Sequence, residues 1–146
     1  MKTILITGAS GLIGKRLTEL LLESGFIVRH LSRKKGDGVI PTFIWNVEKG
    51  KIDITAFEDA DAIIHLAGIN LSERRWTSSF KKNIYDSRIN GSKLIVDALR
   101  RAPNKIKVIV SASGINYYAE EKGKLLTENS KPANDFLGKV CLDWLE

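Results

Sequence analysis

The sequence predicts an α/β fold built on a doubly wound parallel sheet. Two observations predict it. The chain opens with an apolar strand that runs through a glycine-spaced turn into a helix, Thr3-Ile-Leu-Ile-Thr-Gly8-Ala-Ser-Gly11-Leu-Ile-Gly14. Beyond that unit, short apolar, β-rich runs alternate with helical segments, a pattern that demands right-handed crossovers between parallel strands.

The first strand covers Lys2 to Thr7, and the helix after it carries Ile13, Leu17, Leu20 and Leu21 at i, i+4, i+7 and i+8, which predicts one buried face. Gly25 supplies its stop signal. In such a unit Gly8 permits the tight turn, Gly11 lets the backbone approach a pyrophosphate, and Gly14 lets the helix pack closely on the strand. The free N–H groups and positive end of the helix then face the phosphates. Gly8, Ser10, Gly11, Leu12, Ile13 and Gly14 are therefore candidate contacts to a nicotinamide dinucleotide. A P-loop is the rival phosphate cradle, and Gly14-Lys15 invites the comparison. It fails twice, because Ala9 stands where its first glycine belongs and Arg16 where Ser or Thr should hold magnesium.

Further along, Phe26 to Leu31 is a second strand, followed by a polar Lys/Gly loop from Lys34 to Gly38. Thr42 to Trp45 is a third strand. Asp61 to Ala67 is a fourth, with the continuous apolar centre of a strand covered on both faces. A long helix is expected from Ser79 to Arg100, since Ile84, Gly91, Ile95 and Ala98 repeat at helical spacing and Pro103 lies just beyond. Ile106 to Val110 is the fifth strand. A polar loop, Ala119 to Pro132, precedes a last helix from about Ala133 to the terminus. The expected order is 3-2-1-4-5, a Rossmann-type sheet, with ligand at the carboxyl ends of the strands where strands 1 and 4 diverge.

Length and composition, 146 residues with 43% hydrophobic and 27% charged, fit one dinucleotide-binding domain over residues 1–146. No apolar run reaches the ~18 residues that span a bilayer, and the chain starts directly on a strand without signal-peptide organisation, so a cytoplasmic location is expected. Cys141 is the single cysteine, and no Cys/His cluster has metal-ligand spacing, so neither a disulfide nor a metal is expected. The net charge of +6 suits an anionic partner such as a nucleotide cofactor. Nucleic acid is the competing explanation, but the basic pairs Arg74-Arg75, Lys81-Lys82 and Arg100-Arg101 are not interleaved with aromatics in any nucleic-acid module.

Domains of this type that prefer NAD place an Asp or Glu at the end of strand 2, where it binds the ribose hydroxyls. Ser32 holds that place here, and Arg33 follows with Lys34 and Lys35, so the local field attracts a 2′-phosphate. NADP is favoured over NAD. At the end of strand 4, Leu66, Ala67 and Gly68 offer a close backbone approach to an adenosine or ribose, whereas His65 reads as a core histidine. Ser111, at the end of strand 5, completes the cofactor side.

Taken together, the glycine turn, Leu31-Ser-Arg33, Arg75-Trp76, Asp86-Ser-Arg-Ile89, Ser111-Ala-Ser113, Tyr117-Tyr118, Thr127-Glu128 and Asp135-Phe-Leu with Cys141 and Trp144 resemble the extended and atypical short-chain dehydrogenase/reductase superfamily. The likeness is closest to its sugar-nucleotide epimerase/dehydratase branch, and within it to a subfamily some of whose members carry a label as cell-division inhibitors. It implies a bound nicotinamide cofactor, hydride transfer to and from it, and a small-molecule substrate of nucleotide-sugar type. It assigns Ser113 to the substrate beside the nicotinamide. Arg88, with Tyr85 and Ser92 on one helical face, either reaches the cofactor phosphates or caps a surface ion pair.

The chain also departs from that superfamily. Phe136 and Val140 occupy the places of its Tyr-x-x-x-Lys acid–base pair, and such a proton-transfer group is worth ~10²–10⁴-fold in rate. Tyr117 and Tyr118 are the phenols left near Ser113, as a replacement donor or as an aromatic wall. Lys139, four residues after Asp135, suggests an exposed helical ion pair. The superfamily continues into a substrate-binding region that this sequence lacks, which leaves Leu137, Val140, Trp144 and Leu145 as a seam expected to favour a homodimer. A non-enzymatic cofactor-sensing or regulatory module is the alternative to an NADP-linked epimerase or oxidoreductase.

Overall fold

The computed structural model describes residues 1–119 and 123–145, which fall into two compact units, Met1–Ala112 and Ser113–Glu146. Residues 120–122 of the expected polar loop, and Glu146 at the end of the expected last helix, lie outside the described residues.

The first unit is a six-stranded sheet in the order β4-β3-β2-β1-β5-β6, formed by β1 (Thr3–Thr7), β2 (Ile27–Ser32), β3 (Thr42–Asn46), β4 (Lys51–Ile52), β5 (Ala62–His65) and β6 (Val108–Ser111). The second to sixth places in that order give β3-β2-β1-β5-β6, the expected Rossmann-type order, since β5 and β6 are the fourth and fifth strands foreseen. All their pairings are parallel. The unforeseen β4 adds two antiparallel pairs at the β3 edge, Trp45 with Ile52 and Asn46 with Lys51. Every residue of β1 is buried, as the central strand of a sheet covered on both faces requires.

Strand alternation divides the core in two. Leu5, Leu31 and Ile63 face α2 (Ser78–Arg101) and pack with Trp45, Phe57, Leu94, Ile95 and Ala98. Ile4, Ile6 and Val28 face the other way, against Leu17 and Leu21 of α1 (Leu12–Glu23). Ile84, Gly91, Ile95 and Ala98 of α2 are all buried, as their spacing predicts. Of the four residues expected on the buried face of α1, Leu17 and Leu21 pack on the sheet and Ile13 and Leu20 do not. Gly14 and Thr18 are the helix's buried residues, while Ile13 and Leu20 are 68% and 42% exposed. Close packing at Gly14 and a bonded hydroxyl at Thr18 outweigh the apolar count.

α2 starts on Thr77, whose hydroxyl oxygen accepts the Phe80 amide at 3.2 Å, so one of the free amides of the first turn is satisfied. Thr77→Ala is expected to cost about 1 kcal/mol of stability, read as a shift of the urea midpoint. No helix among the described residues is long and apolar enough to cross a membrane.

In the second unit, a 3-10 turn at Ile115–Tyr117 precedes a bridge between Tyr118 and Pro132, and α3 runs over Phe136–Leu145. Asp135 caps α3, with a carboxylate oxygen accepting the Gly138 amide at 2.7 Å, in place of the ion pair that its spacing from Lys139 suggested. Val140 is only 2% exposed and so is no part of an open seam, whereas Leu145 is 57% exposed. A side chain at Gly138 would run into Ala133, its Cβ falling 2.7 Å from that residue's carbonyl carbon.

Candidate functional site

The carboxyl end of β1 meets that of β5 at Gly8. Its backbone is left-handed, φ +71°, and a Cβ there would lie 2.8 Å from the Leu66 carbonyl carbon and 2.9 Å from the Ala67 nitrogen. Glycine alone suits both demands. At Gly14 a Cβ would fall 2.6 Å from the Ala9 Cα, with the Gly8 carbonyl oxygen closer still, so the first turn of α1 lies directly on the turn that leads into it. The Gly11 amide closes that turn by donating to the Gly8 carbonyl at 3.0 Å. Gly11 is also the N-cap residue of α1 and offers its amides no side-chain acceptor, and the first turn contains no acidic residue. The positive end of the helix is thus left for an external anion. Ser10, Gly11, Leu12 and Ile13 are exposed at this mouth, Leu12 to 91%.

Thr7 is buried at the end of β1, directly paired with His65 across β1 and β5. Its hydroxyl oxygen accepts the amides of Leu66 and Ala67, each at 3.2 Å, and lies 2.6 Å from His65 Nδ1. His65 is 2% exposed, edge-on to Trp45 with ring centroids 6.1 Å apart, and burial lowers its pKa to about 4. The imidazole is therefore neutral near pH 7. On the other face, the Thr18 hydroxyl donates to the Gly14 carbonyl at 2.8 Å and lies 3.0 Å from His30 Nε2. Burial lowers the His30 pKa too, partly countered by Asp37.

The segment after β5 is tied to α2. The Ile69 amide donates to the Ser87 hydroxyl at 3.2 Å, and the Arg88 guanidinium donates to the carbonyls of Ile69 and Ile84 at 3.2–3.3 Å. Gly68 lies under that guanidinium, since a Cβ on it would sit 3.2 Å from the Arg88 Cζ. Arg88 thus shares a place with Gly68 and clamps backbone carbonyls. At the end of β2, the Ser32 hydroxyl accepts the Lys34 amide at 3.3 Å, and Arg33 is exposed. Ser111 is exposed at the end of β6, its hydroxyl donating to the Ala112 carbonyl at 3.3 Å, while the Ala112 amide bonds the His65 carbonyl at 3.0 Å.

Ser113, Tyr117 and Tyr118 belong to the second unit. There Ser113 is exposed, and the two phenol rings are half-buried and packed edge to face with centroids 5.1 Å apart. A groove of about 320 Å³ between the last turn of α2 and the start of β6, lined by Val96, Leu99, Ile106 and Val108 among others, sits at the amino ends of the strands. It is at the wrong end of the sheet for a dinucleotide. Among the described residues no group of three His, Cys, Asp or Glu is placed to hold a metal ion. The parts played by Thr7, Thr18 and His30 were not foreseen from sequence. The available signal was a hydroxyl in a strand or helix face otherwise given to apolar residues.

Residues 4–145 match the NAD dependent epimerase/dehydratase family. An epimerase family protein of Mycobacterium leprae is 34% identical over 141 residues, covering 97% of this chain and 45% of its own length. The crystal structure of a human epimerase family protein with NADPH superposes with a TM-score of 0.82 at 30% identity, over 98% of this chain and 47% of that one. A nucleoside-diphosphate sugar epimerase from Corynebacterium glutamicum superposes with a TM-score of 0.81 at 30% identity, over 99% of this chain and 29% of that one. The chain spans about half the length of the curated relatives it matches. The glycine turn, the strand order and the family match over residues 4–145 agree, and the chain belongs to the NAD-dependent epimerase/dehydratase family.

Proposed function

We propose that this chain is the NADP(H)-holding domain of a sugar-nucleotide epimerase or related oxidoreductase. One observation carries the reading: α1 begins on an uncapped glycine, in a turn where Gly8 and Gly14 pack so closely on neighbouring backbone that neither admits a side chain. The family match and the human relative crystallised with NADPH support it. Gly8, Ser10, Gly11, Leu12, Ile13 and Gly14 would hold the diphosphate through backbone amides. Ser32 and Arg33 would take the 2′-phosphate, Arg33 as a bidentate fork. Leu66, Ala67, Gly68 and Ser111 would flank the ribose and nicotinamide, with Arg88 keeping the Gly68 backbone in place.

A bound nicotinamide supplies the hydride acceptor and donor. The chain's part in the chemistry is to exclude water and hold a substrate hydroxyl, for which Ser113 and the Tyr117–Tyr118 pair are the candidates. Phe136 and Val140 carry neither a phenol nor an ammonium, and Tyr117 and Tyr118 are candidates to replace that donor or to form an aromatic wall for the substrate. The same substitution favours a second reading, a binding module that senses the cofactor without turnover.

Calorimetric titration with NADPH and NADH tests the cofactor reading. NADPH is expected to bind at least ~10-fold more tightly than NADH, and Arg33→Ala to remove most of that difference, since one charge-assisted fork is worth about 1.5–3 kcal/mol. Equal affinities in the unaltered protein would overturn the choice of NADP. A change in nicotinamide absorbance on adding a nucleotide sugar to the NADP-loaded protein separates the enzyme from the sensor.

A further inference from the structure

We infer that His65 is a positioning residue for the dinucleotide, holding the Leu66–Gly68 backbone against the glycine turn through the hydroxyl of Thr7. The inference rests on the NADP-binding reading above and adds a residue outside the cradle to it.

The hydrogen bonds decide which way the Thr7 proton points. A hydroxyl oxygen has two acceptor sites and one proton. Both acceptor sites of Thr7 Oγ1 are taken by the amides of Leu66 and Ala67, at 3.2 Å each. A third N–H from His65 would be one too many. The Thr7 O–H therefore donates to His65 Nδ1 at 2.6 Å, and Nδ1 must carry its lone pair rather than a proton.

Packing keeps that nitrogen in register. The imidazole is 2% exposed and edge-on to Trp45 at 6.1 Å between centroids, and Gly91 of α2 lies beside both rings, a Cβ on it falling 3.7 Å from His65 Cε1 and Nε2 and from Trp45. A ring so completely buried in a close-packed interior is held in one orientation, with its acceptor toward Thr7. The consequence reaches the cradle directly, because the same Leu66–Ala67 peptide is the one that a Cβ at Gly8 would strike. Losing the acceptor at position 65 frees the Thr7 hydroxyl to rotate, and the Ala67 amide loses a fixed partner, while the Leu66 amide keeps the Thr7 carbonyl at 3.2 Å.

Two substitutions separate positioning from packing. Asn keeps an acceptor near the place of Nδ1 but leaves a hole, whereas Phe fills the slot and has no acceptor. His65→Asn is expected to bind NADPH within about threefold of the unaltered protein, and His65→Phe about tenfold more weakly. A residue that served packing alone would give the opposite order, and that order would overturn the inference. Hydrogen exchange of the Ala67 amide gives a second readout that needs no cofactor, with protection kept in His65→Asn and reduced in His65→Phe, the Leu66 amide serving as the internal control because the Thr7 carbonyl also holds it. It also separates this inference from the cofactor reading, since failure of the unaltered protein to bind NADPH would sink that reading and leave the exchange comparison to decide. If His65→Phe does not fold, Thr7→Ser and Thr7→Val replace it, with protection expected in the serine variant and lost in the valine one. A ¹⁵N spectrum showing Nδ1 protonated at neutral pH would overturn the inference directly.

Discussion

Gly14→Ala is expected to lower the unfolding free energy by about 2–4 kcal/mol and to weaken NADPH binding at least ~10-fold, the two losses arising from one displacement. The added carbon would sit 2.6 Å from the Ala9 Cα and 2.9 Å from its carbonyl carbon. These are backbone atoms, which cannot swing aside as the end of a side chain can. Ala9 is itself 8% exposed and packed in the core that α1 shares with Ile4, Ile6 and Val28. The relief available is to lift the first turn of α1 off the strand, which also moves the amides proposed to face the diphosphate. Gly25→Ala is the control, because Gly25 has φ +79° but nothing lies within 4 Å of where its methyl would sit, so it should cost only the left-handed backbone penalty of about 1–2 kcal/mol. It should leave NADPH affinity unchanged. Urea midpoints and calorimetric titrations on both variants make the comparison, and equal effects of the two substitutions on affinity would defeat the packing argument.

Sequence periodicity made the parallel part of the sheet legible. β1, β2, β3, β5 and β6 are apolar runs bounded by turn residues, and the glycine spacing marks the point where the first crossover begins. β4 escaped because Lys51–Ile52 is two residues long, too short to show alternation, and is defined by its pairing with β3. The face of α1 was legible at Leu17 and Leu21 but not at Ile13 and Leu20, for a different reason. Ile13 looks like a core residue by spacing, but it lies in the first turn, at the open mouth of the cradle, while Thr18 is buried because its hydroxyl is satisfied by Gly14 and His30. Counting apolar side chains cannot detect a polar one whose cost of burial has been met.

The site divides along the same line. Gly8, Gly11 and Gly14 could be read in order along the chain because their roles are local to one turn. Thr7 and His65 are 58 residues apart, and their meeting depends on the register of β1 on β5, which neither strand states alone. Arg88 shows an intermediate case. Its position on the right face of α2 was visible from spacing, but its partner, the Ile69 carbonyl, comes from a loop whose path no periodicity fixes.

Buried, neutral His65 also sets a pH dependence that needs no cofactor. Its pKa is about 4 in the folded protein, against 6.5 when exposed on unfolding. As pH falls below 6.5 the unfolded chain takes up this proton first, so the unfolded state gains and folding stability drops until about pH 4, where the folded state protonates too. Two and a half pH units correspond to about 3 kcal/mol, present in full above pH 6.5 and lost on acidification. His30 acts in the same direction, its pKa being lowered by burial. Asp61, whose carboxylate is held below its usual 3.8 chiefly by the Thr3 amide, enters only at more acidic pH. Urea unfolding measured from pH 7 to pH 4.5 should therefore show a falling midpoint in the unaltered protein and a much shallower fall in His65→Asn, whose amide has no proton to gain. A slope unchanged by that substitution would mean that His65 does not remain neutral when the fold is acidified.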